Sequence, residues 1–128
     1  MTVIRSFREL EVYQMALQQA ERIFVLTKGF PKEETYAMSD QMRRSSRAVS
    51  ALVAEAWARR PYPAAFVNKV NEALGEAMET QAWLDHACRC GYIPPEHYHD
   101  LDTTWQHIGA MLHRMVQRAN DFCKPSTR

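Results

Sequence analysis

The chain has 128 residues, enough for one domain that buries its own core without disulfide or metal staples. Its 16 Lys and Arg face 15 Asp and Glu, a formal net charge of +1, so no global field draws the whole molecule onto nucleic acid or a membrane. Four glycines and six prolines, the prolines at segment edges, argue for long helices and against a many-turned β protein.

The first helix is announced by Ser6 with Glu9 three residues on, a capping-box signature. Apolar or small residues follow at Leu10, Tyr13, Leu17, Ala20, Phe24 and Thr27, and Gly29-Phe30-Pro31 closes the segment. The second helix carries Met38, Met42, Ser45, Val49, Leu52 and Ala56 on one stripe, flanked by Val53 and Trp57, and Pro61-Tyr62-Pro63 ends it. The third repeats the spacing at Phe66, Val70, Ala73, Ala77, Thr80, Leu84 and Ala87, stopping at Gly91. Pro94-Pro95 opens the fourth, whose stripe is Tyr98, Leu101, Trp105, Ile108, Leu112, Met115, Ala119 and Phe122.

Helices of about 20–28 residues make rods of roughly 30–42 Å. Short joints force chain neighbours to lie antiparallel. The expected fold is therefore all-α, an antiparallel up-down-up-down four-helix bundle over residues 1–123, with 124–128 as a flexible tail. No apolar run approaches the ~18 residues of a membrane span, and Met1–Leu10 lacks the apolar centre of a signal peptide. Cys88, Cys90 and Cys123, odd in number, suit a reducing compartment, and the expected location is cytoplasmic.

The near-neutral total hides an uneven distribution. Between Asp40 and Arg60, five arginines (Arg43, Arg44, Arg47, Arg59, Arg60) face Asp40 and Glu55, a net of +3, while residues 63–91 and the fourth helix each carry −2. At 100° per residue, Arg43, Arg44 and Arg47 fall away from the Met42/Val49/Val53 stripe, where they could grip phosphates. The alternative is a solvated face with Asp40–Arg44 and Glu55–Arg59 pairs, and no aromatic platform stands between these arginines in the sequence. The same outer face holds Ala48, Ala51, Ala54 and Ala58, small enough for another helix to approach closely. Trp57, Trp83 and Trp105 at stripe edges are candidate interface anchors, although alanine is also simply the best helix former.

Metal and catalytic chemistry find little footing. A bundle di-metal site needs inward Glu-x-x-His motifs on two helices, and the lone Glu96/His99 has no counterpart. Cys88 and Cys90 lie about 200° apart around a helix and cannot chelate one ion together, so free buried thiols are expected. The five histidines lack a Ser or Cys partner at recognisable spacing, and there is no glycine-rich phosphate loop. No enzyme activity, cofactor or metal is expected. Glu55 and Glu79 read as rim carboxylates that pair a cation across the bundle or across subunits.

Several segments carry a family likeness: Phe7-Arg8-Glu9-Leu10, Phe30-Pro31-Lys32-Glu33-Glu34, Gln41…Arg43-Arg44-Ser45-Ser46, Ala54-Glu55-Ala56-Trp57 and Trp83-Leu84-Asp85…Gly91-Tyr92-Ile93. They resemble the small four helix bundle protein family. It includes proteins encoded in intervening sequences of bacterial ribosomal-RNA genes and accessory variability determinants of diversity-generating retroelements. Many members have Asn-Ile-Ala-Glu-Gly where this chain has Leu52-Val53-Ala54-Glu55-Ala56. The resemblance implies a barrel-like homopentamer, and basic surfaces that in the accessory proteins bind nucleic acid and a reverse transcriptase. Carried over, Arg43, Arg44 and Arg47 would contact nucleic acid, with Arg59 and Arg60 secondary.

Two functions stay open at this point. One is a non-enzymatic oligomeric adaptor, with a possible protein partner, that binds RNA or DNA through the second-helix arginines. The other is a self-assembling interaction protein with no nucleic-acid role, in which the arginines make intersubunit ion pairs. In both, Ala51, Ala54, Trp57, Ala58 and Trp83 are the expected oligomer interface.

Overall fold

The computed structural model describes residues 3–124, so residues 125–128 of the expected tail lie outside the described residues. Four long helices, α1 (Glu11–Thr27), α2 (Met38–Ala58), α3 (Pro63–Arg89) and α4 (Pro95–Gln117), are followed by a short α5 (Ala119–Cys123). Side-chain contacts set their directions. Arg43 meets Thr27 and Arg44 meets Glu79. Glu55 meets Lys69, Tyr98 meets Asp85, and Arg22 meets Asp100. In each pair of neighbouring helices rising numbers meet falling ones, which is an antiparallel up-down-up-down four-helix bundle.

All seven residues expected on the third stripe are buried, from Phe66 to Ala87. Gly91 ends that helix at φ +77°, where only glycine is free of Cβ strain. The Tyr92 N–H bonds the Ala87 carbonyl at 2.9 Å and the Gly91 N–H bonds that of Cys88 at 3.0 Å, a Schellman closure. Tyr92 then packs on Phe30 at 5.2 Å and donates its hydroxyl to Glu34 at 2.8 Å. That carboxylate pushes the phenol up to about 12 and ties the α1–α2 joint to the α3–α4 joint.

Three expectations are corrected. The Ser6/Glu9 signature caps only a 3₁₀ turn, Phe7–Glu9: Ser6 Oγ accepts from Arg8 N, Glu9 from Arg5 N, and Leu10 bends before α1 begins. Gly29 is not left-handed, since Gly91 alone has positive φ among the described residues, and the joint runs on through a second 3₁₀ turn at Lys32–Glu34. The fourth helix does not reach Phe122. It breaks at Arg118 (φ −108°, ψ 28°), which lets Phe122 stack on Phe66 at 5.6 Å.

The buried face of α1 is also rotated by about one residue from the expected stripe. Val12, Ala16, Gln19, Ala20, Ile23 and Thr27 are buried, leaving Leu17 exposed and Phe24 half-buried at the edge facing α2. On α2, Val53 is buried and Leu52 only half-buried. Between α2 and α3, Ser45 and Thr80 are wholly buried and share a hydrogen bond of 2.9 Å. A polar pair there is tolerable because both hydroxyls are satisfied. Trp105 lies in the middle of the core with no exposed surface, so it is not an interface anchor.

Candidate functional site

No ionised side chain is buried among the described residues, and no group of three or more His, Cys, Asp or Glu converges on a point that could hold a metal. No helix among them is long and apolar enough to cross a membrane. The three cysteines are unpaired; Cys88 and Cys123 are half-buried, but Cys90 is exposed, contrary to the buried thiol expected. Burial raises the Cys123 thiol above its ordinary value, against a lowering pull from Arg60. The distinctive chemistry is on the surface.

Helix rotation groups Arg43, Arg44 and Arg47, but the structure divides the five arginines among three places. Arg44 turns towards α3, where its guanidinium meets Glu79 at 2.6 Å and Glu76 at 3.3 Å. Trp83 donates its indole N–H to the same Glu79 at 3.1 Å. The expected Asp40–Arg44 and Glu55–Arg59 pairs do not form, because the carboxylates of α3 and Lys69, at 3.3 Å from Glu55, are better placed. Arg60, beyond α2, lies 3.5 Å over the Trp57 ring and donates Nε–H to the Trp57 carbonyl at 2.9 Å. Arg59 is exposed beside it, about 24 Å along the helix axis from Arg43.

Arg43 and Arg47 turn the other way, to α1. Their guanidinium carbons lie 4.8 and 5.3 Å from the Phe24 ring centre, and the Lys28 ammonium lies 4.6 Å from it. Arg43 also donates Nε–H to Thr27 Oγ1 at 2.8 Å, and that hydroxyl in turn reaches the Ile23 carbonyl at 2.9 Å. Among the described residues no carboxylate lies within 4.0 Å of Lys28, Arg43 or Arg47. An aromatic platform does therefore stand between two of the arginines, supplied by another helix. The ring quadrupole, and for Arg43 also the Thr27 hydroxyl, holds these cations where no counter-charge does among the described residues, which leaves their remaining N–H donors for an anion.

Of the expected interface residues, Ala51 and Ala58 are exposed, while Ala54, Trp57 and Trp83 are half-buried. The antiparallel register that pairs Thr27 with Arg43 brings exposed Leu17 level with Val53, next to Ala54 in the chain.

The Arg44 cluster gives a pH prediction. Its hydrogen bond to Glu79, then that of Trp83, holds this carboxyl below its ordinary value of 4.5. A carboxyl lowered in the folded state stabilises above its unfolded pKa, and the gain is lost as pH falls through the folded pKa. Urea unfolding followed from pH 7 to pH 3 should show a smaller acid-induced loss in Arg44→Gln than in the parent. An identical loss would remove Arg44 from the account.

Antiparallel helices around an uncharged core, with cations gathered on the α1–α2 edge, define a helical-bundle protein whose specialised chemistry is on its surface. Residues 8–114 match the family model for the 23S rRNA-intervening sequence protein, and the chain belongs to that family, in agreement with the sequence resemblance. Among solved structures it is similar to a protein of unknown function from the S23 ribosomal protein family of Bacteroides thetaiotaomicron VPI-5482. The two share 34% identity at a TM-score of 0.75, over 83% of this chain and 95% of that one. No curated protein matches the chain.

Proposed function

We propose that the protein is a non-enzymatic, self-associating cytoplasmic adaptor that binds RNA through Lys28, Arg43 and Arg47. One observation carries this reading: three cations converge on Phe24 with no carboxylate within 4.0 Å among the described residues. Arg44 is left out of the contact set because Glu76 and Glu79 already neutralise it. Arg59 and Arg60 form a separate, secondary patch. The family bears the name of a ribosomal-RNA sequence, which makes RNA the polyanion to try first. Self-association is supported by the exposed Ala51 and Ala58 on α2, with half-buried Ala54 between them in the chain, and by the exposed Leu17 on α1.

Fluorescence anisotropy with a labelled single-stranded RNA tests the binding. Three phosphate contacts give a slope of log K against log salt of about −2, so affinity drops roughly 15-fold between 50 and 200 mM salt. No binding at the lower salt, or binding indifferent to salt, overturns the reading. Light scattering on the same samples gives the subunit number; a monomer removes the self-association and leaves the RNA contact standing.

A further inference from the structure

At the end of the bundle where α1 begins and α2 and α4 finish, a groove of about 540 Å³ opens between the N-terminal segment, α4 and α5. Volumes of this order are those of small-molecule sites. Its apolar lining includes Leu10, Val12, Trp57, Met111, Met115 and Phe122. Its charged lining is Arg60, Arg114, Arg118 and Lys124 against Glu11 and Asp121, a formal +2. Arg118 is occupied by Asp121 at 3.2 Å. Arg60 and Arg114 have no carboxylate within 4.0 Å among the described residues.

We propose that this groove binds an amphipathic monoanion, an aliphatic or aromatic body with one carboxylate head group. Arg60 supplies the positioning. Its Nε–H bonds the Trp57 carbonyl and its guanidinium carbon lies 3.5 Å over the Trp57 ring, so two terminal nitrogens remain without a protein acceptor among the described residues. A guanidinium fixed in this way offers a carboxylate a two-pronged contact with little ordering cost. The apolar lining takes the body of the ligand. A cationic amphiphile is repelled by the net +2, and a neutral one leaves the arginine donors unmatched. A nucleic-acid backbone has no apolar body to fill the groove, and the Phe24 cluster lies near the far end of α2, so the two sites are distinct.

Isothermal titration of the full chain with decanoate, decan-1-ol and decyltrimethylammonium, all below micellar concentration, tests the proposal. Decanoate should saturate at one per chain, decan-1-ol should bind at least ~10-fold more weakly, and the cation should not bind. Arg60→Gln and Arg114→Gln should each weaken decanoate by about 5- to 10-fold with unchanged helix content by circular dichroism. Met111→Trp, at a half-buried lining position, should block the groove from inside. The proposal is overturned if decanoate does not saturate, or if decanoate and decan-1-ol bind alike and ignore both arginine variants. Tighter capture of an acidic amphipathic peptide that displaces decanoate would also overturn it, by making the groove a protein dock.

Discussion

Changing Lys28, Arg43 and Arg47 together to glutamate is expected to weaken RNA binding by about 100-fold at 50 mM salt, or about 2.7 kcal/mol. The salt slope of about −2 should collapse towards zero, because each phosphate contact contributes about −0.7 on a single strand. Lys28 and Arg47 are exposed, Arg43 is half-buried, and none makes an ion pair among the described residues, so the bundle should stay folded, as circular dichroism would show. Arg44→Glu is the internal control. It sets a third carboxylate against Glu76 and Glu79 and should lower stability, yet leave RNA affinity within about twofold of the parent. If Arg44→Glu abolishes binding and the triple variant does not, the contact surface is the α2–α3 edge and the assignment fails.

Trp105→Ala is expected to cost about 3–5 kcal/mol, the usual range for emptying a fully buried tryptophan site. The loss has two parts of opposite sign. Removing the ring forfeits its apolar burial and leaves a cavity. It also removes an indole N–H that has no hydrogen-bond acceptor among the described residues, and an orphan donor of that kind costs about 1–3 kcal/mol. Trp105→Phe separates them, since it keeps most of the apolar volume and drops the N–H. Urea unfolding should therefore place Phe much closer to the parent than to Ala. If Phe and Ala are equally destabilised, the N–H is making a contact that matters. A near-neutral Trp105→Ala would mean that α4 is not seated as described.

Much of the fold is legible in the sequence because it depends on period alone. The stripe from Phe66 to Ala87 has one apolar face and two clear ends, and every expected residue is buried. The first helix misleads for a physical reason. Leu17 and Phe24 are larger and more apolar than Ala16 and Ala20, so hydrophobic strength points to the wrong edge. The helix buries its small residues, lets its neighbours come close, and keeps Phe24 outside as a platform.

The candidate site was half legible. Rotation places Arg43, Arg44 and Arg47 away from the core, but one helix's period says nothing about what its neighbours carry. Glu76 and Glu79 on α3 claim Arg44, while Phe24 and Thr27 on α1 claim Arg43. Lys28 carries no signal in the helical period, because it lies beyond the last turn of α1, outside any stripe. The signal for Phe24 is an aromatic residue on the neighbouring helix at the level of Arg43 and Arg47.

Three positive charges share one aromatic ring, each within 5.3 Å of its centre, so no two can be more than about 10 Å apart. That bound is a little over the ~8 Å Debye length of physiological salt, so screening weakens their mutual repulsion without abolishing it. The cluster thus carries some mutual repulsion that the Phe24 quadrupole offsets only in part. On the proposed function, a bound phosphate would relieve that repulsion as well as being attracted by the cations.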